Sequence, residues 1–179
     1  MRSRFYAPLL LVLTGLLSGH SPSRAADAPK ADAPKEVTMP RVTCAELLEA
    51  IAKRKGSVVM VEVWGDFCVP CKKKFPRLLE LHKELAAKGL VIVTLDVDDD
   101  EEGERLALEF LKKTKVPFAN YRLVDRPATV EAFEKSGFDI SGPPIVHLFD
   151  RSGKKVGGFG AGSKDEAIDA MIRKLVEEK

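Results

Sequence analysis

Two cysteines separated by two residues, in the run Cys68-Val69-Pro70-Cys71, stand directly behind a β-branched apolar stretch from Val58 to Trp64. The stretch is nearly unbroken, the pattern of a strand covered on both faces. Behind the cysteines, Phe75, Leu78, Leu79, Leu81 and Leu85 recur at helical spacing up to Gly89, with Pro76 expected to kink the helix. Positions i and i+3 of a helix are neighbours, so the two sulfurs can close a disulfide with little backbone movement. The first cysteine falls where unpaired N–H groups and the helix dipole favour negative charge, hence the thiolate. Pro70 fits there because the first helical turn has no ladder bond to lose. The pattern predicts Cys68 as an exposed nucleophile and Cys71, one turn deeper, as the resolving thiol. Lys72, Lys73 and Lys74 add positive charge nearby and read otherwise as a solvated helix face.

The rest of the chain alternates strand and helix. Thr43-Cys44-Ala45-Glu46 is a capping box that opens a helix carrying Leu47, Leu48 and Ile51 and closing at Gly56. After the cysteine helix come a buried strand (90–97), a helix (101–114), a short strand (121–124) and a helix (129–136) closed by Gly137. Residues 145–149 and 154–159 flank Asp150-Arg151-Ser152-Gly153, a hairpin turn. Ser163-Lys164-Asp165-Glu166 reads as a second capping box before the last helix. This order predicts an α/β domain with a mixed central sheet flanked by helices.

The N-terminus reads as an address. Arg2 and Arg4 precede a short apolar run, Leu9 to Leu17, and Ser23-Arg24-Ala25 supplies small residues at a cleavage site. Residues 1–25 are therefore expected to be a secretory signal peptide, with an uncleaved membrane anchor as the competing reading. Residues 26–40, with near-duplicated Ala, Pro, Lys and Asp, are expected to be a flexible linker to a domain over 41–179. A secreted or periplasmic setting lets disulfides persist. Three of the 29 basic residues lie in that leader and no acid does, leaving a near-neutral body with no footprint for nucleic acid.

These residues resemble the thioredoxin superfamily and, within it, the extracytoplasmic TlpA/ResA-like protein disulfide reductases. The resemblance rests on Val61-Glu62-Val63-Trp64-Gly65-Asp66-Phe67-Cys68-Val69-Pro70-Cys71-Lys72 with Phe75-Pro76. It extends to Gly142-Pro143-Pro144-Ile145 ahead of Asp150-Arg151-Ser152-Gly153, so it spans nearly all of residues 40 to 179. It implies a thioredoxin-like fold with a helical insertion around residues 100–136, after the second core strand. It also implies thiol–disulfide exchange through a mixed disulfide, protein substrates, a membrane thiol donor upstream, and no cofactor beyond the cysteine pair. Cytochrome c maturation is one substrate pathway it suggests. Glu62, six residues before Cys68, takes the family's buried-acid position, for proton transfer with the resolving thiol. A carboxyl inside an apolar strand loses water, which by itself raises its pKa and suits that task. Pro144 matches the family's cis-proline, and Phe67, Val69, Pro70, Pro143 and Pro144 are the expected substrate contacts. Three departures stand out: Phe67 in place of a tryptophan, Lys74 where many relatives have glutamate, and Pro143, which has no N–H to offer a substrate.

Other signals carry less. Asp96 to Asp100 cannot be an EF-hand loop, whose sixth position needs glycine and here is Glu101; a solvated helix N-terminus is expected instead. Sulfur and imidazole ligands are too few for zinc, and Lys72 stands where covalent haem attachment needs histidine. Cys44 reads as a small buried hydrophobe, with an intermolecular disulfide or a third redox thiol as the alternative. Two other functions stay open from the residues: a binding module whose cysteines form a static staple or hold copper(I), and a peroxidase on the same fold.

Overall fold

The computed structural model describes residues 36–124, 131–133 and 135–178. The expected signal peptide, most of the expected linker, and part of the helix expected over 129–136 lie outside the described residues. Met39 is buried and Val37 packs against the same core.

The described elements are β1 (Arg41–Val42), α1 (Cys44–Ala52), β2 (Val58–Trp64), α2 (Val69–Leu85), a 3₁₀ turn (Ala86–Lys88), β3 (Leu90–Asp96), α3 (Glu101–Thr114), β4 (Ala119–Leu123), β5 (Ile145–Phe149), β6 (Lys155–Phe159) and α4 (Asp165–Glu177). They build one six-stranded sheet in the order β1-β4-β3-β2-β5-β6. β1, β4, β3 and β2 run parallel, while β5 and β6 are antiparallel to their neighbours, giving the expected mixed sheet. The insertion after β3 supplies α3 and then returns to the sheet as β4, two residues earlier than the periodicity indicates.

β2 and β3 are central, and their side chains alternate between two apolar layers. Val59, Val61, Val63, Val93 and Leu95 meet Leu47 and Ile51 of α1 and Phe133, Phe138 and Ile140 on one face. Val58, Met60, Trp64, Leu90 and Ile92 meet α2, α3 and α4 on the other, through Phe75, Leu78, Leu111, Ile168 and Ile172. Glu62, Thr94 and Asp96 fall by the same alternation on this second face, among apolar residues.

Helix termini match the sequence unevenly. Thr43 and Glu46 form the complete capping box. The second one does not form: α4 begins at Asp165, its N-cap Lys164 makes no side-chain cap bond, and Asp165 instead pairs with Lys74 at 2.6 Å. The acids Asp165 and Glu166 in its first turn complement the dipole in place of a cap. α2 continues through Pro76 as one helix, its proline lacking only the N–H for the Lys72 carbonyl. Gly89 then ends the 3₁₀ turn with φ of 98°, a left-handed conformation that favours glycine.

Candidate functional site

The site forms where β2 ends. Gly65, Asp66 and Phe67 carry the chain from the sheet to α2, and Cys68 is that helix's N-cap. Cys68 and Cys71 are joined as a disulfide with Cα atoms 5.3 Å apart. The Cys71 N–H donates to Cys68 Sγ at 3.3 Å, so a donor of the helix N-terminus points at the outer sulfur. Cys68 is not the exposed residue expected: in the disulfide it is only 4% exposed, against 0% for Cys71, and it joins the core cluster of Trp64 and Phe75. The surface is supplied instead by its neighbours, Phe67 at 64% and Val69 at 60%, two large apolar side chains left in solvent. The Pro143–Pro144 peptide is cis, immediately before β5, which pairs with β2.

Glu62 lies in the central strand, fully buried, and neither carboxyl oxygen has a hydrogen-bond partner among the described residues. Loss of water pushes its pKa up to about 8; Lys74 and Arg77 oppose the rise and Asp165 adds to it. Those charges form a cluster between α2 and α4. Lys74 Nζ meets Asp165 Oδ1 at 2.6 Å, Arg77 Nε donates to Asp169 Oδ2 at 3.1 Å, and Arg77 Nη2 donates to the Asp165 carbonyl at 2.8 Å. The lysine run is therefore not one solvated face. Lys73 is exposed, Lys72 pairs with Asp66 at 2.5 Å and lies over the Phe110 ring, and Lys74 turns inward.

A second buried carboxyl was not foreseen. Asp96 is fully buried and Asp98 nearly so, whereas Asp99 and Asp100 are exposed, so the acidic run is a solvated helix start only in its second half. Burial and the adjacent Asp98 carboxyl raise the Asp96 pKa to about 8, with Arg122 opposing. Asp98 Oδ2 accepts the Asp66 N–H at 2.6 Å, tying the end of β3 to the loop that leads to Cys68. Arg122, also buried, donates to the Asp100 carbonyl at 2.9 Å and pairs with Glu104. The sequence did carry a signal for Asp96, because two-residue alternation through Leu90, Ile92 and Thr94 puts it on the inner face. Cys44 is buried and unpaired in the first turn of α1, and burial raises its thiol pKa.

Comparisons with known proteins agree with this architecture. Residues 56–154 match the family model described as thioredoxin-like. A thiol–disulfide oxidoreductase ResA of Bacillus cereus is 27% identical over 123 residues, 68% of this chain and 65% of the relative. ResA of Bacillus subtilis is 30% identical over 102 residues, 57% of this chain and 52% of that protein. The chain thus spans less than two thirds of the length of these relatives. A thiol–disulfide isomerase from Corynebacterium glutamicum has the same fold with a TM-score of 0.61 at 18% identity, covering 73% of this chain and 86% of that one. With its mixed sheet, its cis-proline before β5 and its cysteine pair at the head of α2, the chain belongs to the thioredoxin-like family.

Proposed function

We propose that this chain is a secreted or periplasmic thiol–disulfide oxidoreductase that reduces disulfides in protein substrates. The observation that carries the reading is the redox-capable pair at a helix N-cap, with Cys71 N–H aimed at Cys68 Sγ. Relatives named thiol–disulfide oxidoreductase add support. The apolar run and small-residue site within residues 1–25 support export and leave an N-terminal anchor as the alternative.

The exchange runs in two steps. The Cys68 thiolate attacks a substrate disulfide, forming a mixed disulfide, and the displaced substrate sulfur leaves as a thiolate that takes a proton from water. Cys71 then gives its proton to the Glu62 carboxylate and attacks Cys68 Sγ. The Cys68–Cys71 disulfide forms, and the second substrate sulfur leaves and is protonated. Two protein thiols are oxidised, one substrate disulfide is reduced, and no resident cofactor enters. Phe67 and Val69 give an apolar landing surface, and Pro70, Pro143 and the cis-linked Pro144 are the further substrate contacts of this reading. A thiol donor at the membrane would restore the dithiol.

The low exposure of Cys68 favours one competing reading, a static staple in a binding module. One experiment separates them: the full chain with Cys71→Ser, its own residues 1–25 retained for export, is expressed in the periplasm and its adducts are isolated. Covalent adducts through Cys68, absent when Cys68 is also replaced, are expected. A Cys68 that forms no adduct and resists alkylation from pH 6 to 9 would overturn the oxidoreductase reading.

A further inference from the structure

The ion-pair cluster above Glu62 has a chemical task left unassigned by its packing. An isolated carboxyl inside a sheet resists ionisation, yet a proton acceptor for Cys71 must spend part of its time as a carboxylate. Lys74 is one helical turn beyond Cys71, on the helix that covers the face of β2 carrying Glu62. It is only 17% exposed on its side chain and is directed at Asp165 of α4 rather than at solvent. Among the described residues, the charged groups that act on Glu62 lie in this cluster: Lys74 and Arg77 from α2, and Asp165 from α4. The neighbouring strands bring none at the positions facing it. Thr94 of β3, in register with Glu62, donates its hydroxyl to Asn120, and Val146 of β5 is apolar. Arg77 is tied to Asp169 and to the Asp165 carbonyl, although its buried Nη1 has no hydrogen-bond partner among the described residues, whereas Lys74 is held by the Asp165 carboxylate alone and changes partner by releasing that one contact.

Resting on the proton-acceptor reading of Glu62, we propose that Lys74 is its positioning counter-ion: the ammonium is held by Asp165 while Glu62 is protonated and turns toward Glu62 when the carboxylate forms. No bond is made or broken by Lys74. It lowers the cost of the charge that Glu62 must carry between substrate turnovers, and Asp165 sets how readily the lysine is released.

The test reads Glu62 directly, by the pH titration of its carboxyl carbon in the oxidised, disulfide-bonded chain labelled at glutamate, with Glu62→Gln to assign the signal. Lys74→Met should raise the Glu62 midpoint by on the order of one pH unit, and Lys74→Arg should restore most of the difference. Asp165→Asn should move it the opposite way, because it removes a nearby negative charge and frees the lysine. A packing role would not give opposite signs at the two positions. An unmoved midpoint in Lys74→Met, or a rise in Asp165→Asn, overturns the proposal. A titration that shifts as stated while Glu62→Gln leaves the pH profile of exchange unchanged would keep the counter-ion and sink the proton-acceptor reading instead.

Discussion

Glu62 and Asp96 are carboxyls on the same inner face of adjacent strands, both fully buried and both raised to about 8, yet their surroundings differ. Glu62 has no hydrogen bond among the described residues and stands under an ion-pair cluster whose cations are on other elements. Asp96 sits against a second carboxyl, Asp98, that is itself bonded to the backbone of the cysteine loop. Equal pKa values therefore conceal different assignments. A buried acid with no fixed partner can exchange a proton without disturbing structure, whereas one next to a latch cannot.

Glu62→Gln should break that contrast most visibly. It keeps the shape and removes the proton acceptor, so the second step of exchange should slow about a hundredfold near neutral pH. Single-turnover kinetics should show the mixed disulfide accumulating. Asp96→Asn should leave that step within a few-fold of the parent; equal slowing in both variants would erase the distinction.

The pH dependence of stability comes next. A carboxyl that ionises near pH 4.5 when unfolded and near 8 when folded keeps the folded state more protonated in between. Stability from Glu62 is therefore complete below about 4.5 and is lost as pH rises toward 8. Asp96 acts in the same direction from its unfolded value of 3.8. His147, lowered to about 4 chiefly by burial, has the opposite sign but only below 6.5, so the window from 6.5 to 8 isolates the carboxyls. Urea unfolding in that window should show Glu62→Gln escaping about 2 kcal/mol of the parent's loss. Parallel curves for the two proteins would mean that Glu62 is not protonated in the fold.

Asp98→Ala should cost about 1.5 kcal/mol, the lower end for a hydrogen bond to a charged group because the Asp66 N–H it releases is only part-buried. The same change should let Asp96 ionise at lower pH and should speed alkylation of Cys68 in the reduced protein. Faster alkylation without altered stability would show a latch that orders the loop only locally.

The legibility of these features differs for a physical reason. The strand, the helix and the cysteine pair could be read from periodicity and from the i, i+3 geometry, because both are local. Glu62 was equally readable, since a lone charge in an apolar run is conspicuous. Asp96 was masked by the acids that follow it, where a charge run suggests water; only the pleat of β3 turns the first of them inward. Lys74 was hidden for the opposite reason, as its burial depends on Asp165, 91 residues away and on another helix. The near-complete burial of Cys68 likewise depends on tertiary cover, which no spacing rule contains.

The smallest effect tests whether the loop is held by backbone or by charge. Asp66 reaches Lys72 through its side chain at 2.5 Å and Asp98 through its N–H at 2.6 Å. The ion pair is part-exposed on both sides, so its loss in Asp66→Asn should cost under about 1 kcal/mol and should shrink further at high salt. The N–H to Asp98 survives that substitution. Cys68 alkylation should therefore stay at the parent rate, unlike in Asp98→Ala. If Asp66→Asn instead matches Asp98→Ala in both stability and alkylation, the Lys72 pair is the true latch, and the assignment of Asp98 and Asp96 to the loop is wrong.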